Sequence, residues 1–160
     1  MRILFAAGTA VCALLLGYGY FLQYVQGLDP CPLCHVQRAF YYLVGGVFLI
    51  GAVHNPRGKS AAAYPILAMP FALGGIAAAG RQVWLQHLPA DKVPQCGPDL
   101  AFMLKNLPLS RTLEKLFTGT GECAVVDWTF LGLSIANWSF LCFSAIALLA
   151  LVLLLRPRAA

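Results

Sequence analysis

The sequence predicts an all-α integral membrane protein, a bundle of four transmembrane helices with a long loop between helices 3 and 4. Three observations carry that expectation. The 160-residue chain is 60% hydrophobic and only 11% charged, and its mean hydropathy is +0.75, whereas soluble domains carry about 25% charged residues. Four runs free of charge approach or exceed the roughly 20 apolar residues a helix needs to cross about 30 Å of hydrocarbon. The basic residues that carry the net charge alternate with those runs so that they gather on one face. A soluble enzyme is excluded by the first observation. Disorder is excluded too, since 10 Phe, 6 Tyr and 3 Trp supply ample surface to bury.

The first run, Ile3 to Leu28, holds no charge and predicts a span over about 3–26. It exceeds the roughly 7–15 apolar residues of a signal-peptide core and no A-x-A site follows it. Val11 is too large to precede a lipid-attachment cysteine at Cys12, so the segment is expected to stay on the mature protein. Ala39 to Val53, extended back toward Pro32, predicts a span over about 35–54. Ser60 to Gly80 predicts the third, over about 60–80, and Trp128 to Leu155 the fourth, over about 128–155. Segments of about 27–34 and 81–127 then connect the spans on one side, and residues 1–160 form a single membrane domain without an internal repeat.

Arg2, Arg57, Lys59, Arg156 and Arg158 lie at the termini and in the turn between spans 2 and 3, with no acidic residue among them. The remaining six basic and six acidic residues cancel, so the whole net charge of +5 belongs to that one face. Short loops rich in Lys and Arg stay in the cytoplasm. Both termini are therefore expected to be cytoplasmic, and the charge describes topology, not nucleic-acid binding.

Four of the six cysteines fall on the opposite side, where thiols meet an oxidising environment. Cys31 and Cys34 form C-P-L-C in the short segment; Cys96 and Cys123 bracket much of the long one. Four cysteines allow three pairings. Cys31 with Cys34 and Cys96 with Cys123 is the natural one, because a C-x-x-C pair is held close by its own turn. Cys12 and Cys142 lie inside spans and read as small hydrophobes.

Asp29-Pro30 breaks the first span, Cys31 can stand at the N-cap of the second, and Pro32 suits its first turn. Both sulfurs thus crowd a helix N-terminus, where the macrodipole favours negative charge and thiol pKa values fall. Arg38 follows Cys34 by one helical turn on the same face, within reach of its thiolate. At 1.5 Å per residue it sits roughly 9 Å into the span. Its guanidinium either snorkels to the interface or, as an intramembrane charge beside a C-x-x-C, serves function.

These residues resemble the bacterial disulfide bond formation protein B (DsbB) family. The resemblance covers nearly the whole chain: four spans, C-P-L-C-H-V-Q-R opening the second, Cys96 and Cys123 in the second connecting loop, and D-W-T-F-L-G-L entering the fourth. It implies an inner-membrane oxidase that takes electrons from a reduced, periplasmic DsbA-like thioredoxin-fold protein and gives them to a membrane quinone, ubiquinone or menaquinone. The resemblance puts the partner near about −120 mV, against thiol pools at roughly −180 mV or lower, so transfer to such a pool would run uphill by at least about 60 mV, roughly 2.8 kcal/mol. By the same resemblance Cys96 accepts the mixed disulfide with the partner, and Cys123 relays oxidation from Cys31 and Cys34. Cys34 then faces the quinone with Arg38 as counter-charge. His87, in G-R-Q-V-W-L-Q-H after the third span, falls near the family's quinone-side His; otherwise it is an interfacial His beside Trp84.

The long loop carries Leu109, Leu113, Leu116 and Phe117 at helical spacing with polar residues between, predicting a helix that lies on the bilayer or packs on the bundle. Gly119, Thr120 and Gly121 predict a flexible hinge before Cys123. Prolines around Cys96 hold Pro94-Gln95-Cys96-Gly97-Pro98 extended, a surface for the partner. Two readings from another class are a four-cysteine metal site and simple structural disulfides. A vitamin K epoxide reductase-like enzyme is disfavoured, since its C-x-x-C comes late in the chain.

Overall fold

The computed structural model describes residues 2–56, 58–94 and 100–155. Cys96, with Gln95, Gly97, Pro98 and Asp99, lies outside the described residues, as do Arg57, Arg156 and Arg158. Four long helices are apolar enough to cross a membrane: α1 (Arg2–Tyr24), α2 (Pro32–His54), α3 (Ala63–Gln86) and, after two shorter helices, α6 (Ile135–Leu155). The short α4 (Leu100–Asn106) and α5 (Leu109–Thr118) lie in the segment between α3 and α6.

Each boundary has a local cause. Gly27, at φ +68, and Asp29-Pro30 end the first hairpin arm, and Pro32 opens α2 behind Cys31 at its N-cap. Asn55 closes α2 in the left-handed conformation, its N–H donating to the Gly51 carbonyl, with Pro56 behind it. α3 runs past Gly80 to Gln86. Arg81 fits there because its guanidinium lies 4.3 Å from the Trp84 ring and donates to the Thr118 carbonyl, joining α3 to the end of α5. The last charge-free run becomes helical only at Ile135. Before it, Thr129–Phe130 and Leu133–Ser134 pair antiparallel around Leu131 and Gly132, both at positive φ, a turn geometry that suits tight hairpins.

α1 packs on α2, α2 on α3, and α3 on α6. The core between them is built from Phe5, Tyr41, Val44, Phe48, Ala72 and Phe143, with Tyr41 and Phe143 stacked at 4.0 Å. Small residues allow this approach: a Cβ on Gly75 would meet the Phe143 ring directly, and small residues at contacts are how apolar helices pack in lipid. Leu14, Ile50, Leu67 and Leu148 are exposed on the outside, as a lipid-facing surface requires. α5 forms where the spacing of Leu109, Leu113 and Phe117 predicts a helix; those three are exposed, while buried Thr112 donates to the Met103 carbonyl and ties α5 to α4.

Candidate functional site

Cys31 ends up at the N-cap because Pro30 and Pro32 hold its backbone extended, at φ −64 and ψ 164. One turn of α2 then returns Cys34 beneath it, and the two sulfurs are 2.9 Å apart as thiols. A third sulfur joins them. Cys123 lies in a short 3-10 turn (Gly121–Ala124) that is tucked under the bundle end, where it packs, fully buried, with Cys31, Leu33 and Leu85.

Gly119 makes that docking feasible. It adopts φ +78 and ψ 156, a region open essentially to glycine, and a Cβ there would lie 2.7 Å from Leu85 Cδ1 and 2.8 Å from Leu33 Cδ1. The Gly119–Gly121 segment expected as a free hinge is thus held against the bundle, with Thr120 and Gly121 buried.

Hydrogen bonds divide the sulfurs. The Cys31 thiol with Cys123 as acceptor, followed by the backbone N–H of Leu33 and the backbone at Thr120, outweighs burial and pulls the Cys123 pKa down to about 6. Cys31 is pushed up, first by that same bond to Cys123, then by the bond to Cys34 and by burial. The helix N-terminus therefore serves the sulfur from the second segment as well as the C-P-L-C pair: Leu33 contributes one of the N–H groups that a helix start leaves free.

On the membrane side of the pair stands a feature the sequence reasoning passed over. Gln82 of α3, only 5% exposed, places its Nε2 at 3.4 Å from both Cys31 Sγ and Cys34 Sγ. Its Oε1 accepts from Gln37 Nε2 of α2 at 2.6 Å. Part of a signal existed: Gln37 is an amide within a predicted span, and polar groups at such depth mark function; Gln82 falls just past the predicted end of the third span and joins it only because α3 runs on to Gln86.

Cys31, Cys34, Gln37, Arg38 and Gln82 line one end of a cavity of about 490 Å³ whose other walls are α1, α6 and the hairpin segment. Leu15, Leu16 and Leu22 form its α1 wall, and Ile135, Trp138 and Cys142 its α6 wall. Arg38 does not turn to the sulfurs. Its guanidinium donates to the Gly19 carbonyl at 3.0 Å and to Gln23 Oε1, and stands 4.7 Å from the Tyr20 ring, bracing α1 at the cavity edge. His87 terminates α3, exposed, with Nδ1 donating to the Val83 carbonyl, and is not among the residues lining the cavity. Among the described residues no group of three or more His, Cys, Asp or Glu is arranged to hold a metal ion.

The family model for disulfide bond formation protein DsbB matches residues 1–153. The chain belongs to the DsbB family. The disulfide bond formation protein B of Azoarcus sp. (strain BH72) is 48% identical over 157 residues, covering 98% of this chain and 94% of that protein. Those of Nitrosococcus oceani and Hahella chejuensis are 47% and 50% identical over 151 and 145 residues, covering 94% and 90% of this chain and 89% and 88% of theirs. A four-helix membrane bundle and a role in disulfide bond formation follow from family and fold together. Within that DsbB frame the three clustered sulfurs and the adjoining cavity constitute the candidate centre.

Proposed function

We propose that this DsbB-family protein is an inner-membrane thiol oxidase that reoxidises a periplasmic DsbA-like thioredoxin-fold protein and passes the electrons to a membrane quinone. The observation that carries the reading is the meeting of Cys123 with Cys31 and Cys34 at the end of a mostly apolar cavity. Thiol exchange needs an attacking thiolate, a reachable disulfide and a stable leaving thiolate. Cys123, with its low pKa and its contact with Cys31, suits the first role.

The steps balance in sulfur and electrons. A partner thiolate attacks Cys96 in a Cys96–Cys123 disulfide, forming the partner–Cys96 bond and releasing Cys123 as a thiolate. Cys123 attacks Cys31 in the Cys31–Cys34 disulfide; a Cys31–Cys123 bond forms and Cys34 leaves with the electron pair. The partner's second thiolate then displaces Cys96, closing the partner's own disulfide, and Cys96 attacks Cys123 in the Cys31–Cys123 bond, restoring Cys96–Cys123 and releasing Cys31 beside Cys34. A bound quinone would return that dithiol to its disulfide, taking up the two electrons and two protons that the partner's two thiols lose. The cavity suits such a ligand, because ligand pockets of roughly 300–1,000 Å³ combine apolar walls with a few convergent polar groups. Arg38 and Gln82 would stand at the end that receives the ring, and Leu15, Leu22 and Trp138 would offer apolar wall to a tail. Arg38 would orient a ring oxygen; His87 would approach it only if the end of α3 rearranged.

Orientation is part of the reading. The start of α1, the end of α6 and the turn between α2 and α3 lie at one end of the bundle and Cys31, Cys34 and Cys123 at the other, so by the basic-residue rule both termini would be cytoplasmic and the cysteines periplasmic. The test is anaerobic turnover of a reduced DsbA-like protein by the purified chain with ubiquinone or menaquinone added. Partner thiols should disappear only when quinone is present; loss without quinone, or no loss with it, refutes the assignment.

A further inference from the structure

The geometry points to Gln82 as the hydrogen-bond donor that holds negative charge on Cys34 when that sulfur leaves, with Gln37 as the positioning residue that fixes the Gln82 amide. The inference deepens the proposed relay and rests on it.

A side-chain amide has one accepting and one donating end, and its orientation is decided by what surrounds it. The accepting Oε1 of Gln82 is taken by Gln37 Nε2 at 2.6 Å, with the Cys34 thiol as a longer second donor to it at 3.7 Å. The donating Nε2 is left facing Cys31 and Cys34, equidistant at 3.4 Å, and one NH2 group has two hydrogens to offer. Neither amide is more than 5% exposed, and a buried donor without an acceptor costs about 1–3 kcal/mol. The arrangement has a consequence for exchange. In the Cys31–Cys34 disulfide the sulfurs are weak acceptors. When Cys123 takes Cys31, the electron pair passes to Cys34, and the Gln82 N–H already in place gains a charged acceptor without reorganisation. Arg38 does not perform this task here, since its guanidinium is engaged by α1. The charged or titratable groups near Cys34 are Cys31 and Cys123 and, lining the same cavity, Tyr18, Asp29, Arg38, Tyr41, Glu122, Asp127 and Cys142; all remain in the variants below.

The test uses the full-length reduced protein without quinone. The rate of iodoacetamide alkylation at Cys34 is followed by peptide mass spectrometry across pH in wild type, Gln82→Met and Gln82→Leu, each checked for a wild-type unfolding temperature. Loss of one hydrogen bond to a charged sulfur should lower the Cys34 rate at neutral pH at least about tenfold and move its pH profile upward, with the high-pH plateau preserved. Gln37→Met, which leaves Gln82 in place but free to turn, should shift the profile the same way by a smaller factor, about threefold. A merely structural role would change the plateau or the unfolding temperature and leave the midpoint in place; an unmoved midpoint in whichever variants fold overturns the inference. Because no quinone enters this assay, its result stands apart from the turnover test: wild type could fail to use quinone while the Gln82 shift persists, and the reverse.

Discussion

Gly119→Ala should uncouple the two cysteine segments. At φ +78 and ψ 156 the backbone occupies a region that L side chains avoid, at a cost of about 1–3 kcal/mol. The added methyl would stand 2.7 Å from Leu85 Cδ1 and 2.8 Å from Leu33 Cδ1, and overpacking of that kind costs about 1–3 kcal/mol more. The docked position of Cys123 should therefore lose about 2–6 kcal/mol, and at about 3 kcal/mol the docked population relative to the undocked one falls on the order of a hundredfold. The assay is oxidative closure of Cys31 to Cys123 in a Cys34→Ser, Cys96→Ser background, followed by mass spectrometry. Closure should slow by a comparable factor while the four long helices keep their melting behaviour, since Gly119 lies outside them. Wild-type closure kinetics in the Ala variant would refute the claim that Gly119 fits Cys123 into the site.

Alkylation of Cys123 in the reduced protein should follow its lowered pKa: a plateau above about pH 6 and a fall approaching tenfold per unit below it, as the thiolate is protonated; a midpoint near pH 8.5, the free thiol value, would contradict the hydrogen-bond account. Arg38→Ala, which removes the bonds to Gly19 and Gln23, should raise the quinone KM at least about tenfold, and Arg38→Lys should recover only part because an ammonium lacks the planar fork; unchanged quinone kinetics in both would leave Arg38 a snorkelling residue. Cysteines placed at Lys59 and Ala160 should resist an impermeant thiol reagent in spheroplasts while reduced Cys96 reacts; the opposite pattern would invert the orientation.

The bundle was legible because its signal is additive: each long helix sums many apolar residues, and Asp29-Pro30 or Asn55-Pro56 punctuate the runs without ambiguity. The start of α6 was less so. Trp128 to Ser134 is as free of charge as the helix behind it, and only Leu131 and Gly132 at positive φ, a tertiary outcome, turn the segment into a hairpin. At the centre, the C-P-L-C pair could be read from spacing alone, since one helical turn fixes it. The approach of Cys123 could not, because it depends on Gly119 fitting between Leu33 and Leu85. Arg38 shows the limit of same-face reasoning: the turn-to-turn neighbour of Cys34 in sequence spends its hydrogen bonds on α1, while the contact to sulfur comes from Gln82, nearly fifty residues away. Long-range partners of this type leave no spacing in the sequence: Gln82 lies beyond the third predicted span, and only Gln37 stands out as an amide inside an apolar run.

The central claim, that the two cysteine pairs act in series through Cys123 and Cys31, is tested most directly by mapping a trapped intermediate. The oxidised protein is mixed, without quinone, with a DsbA-like partner lacking its resolving cysteine, and the disulfides are located by mass spectrometry. The account predicts the partner joined to Cys96, Cys123 joined to Cys31, and Cys34 free to alkylate. A partner joined to Cys31 or Cys34, with Cys96 and Cys123 still paired, would contradict it.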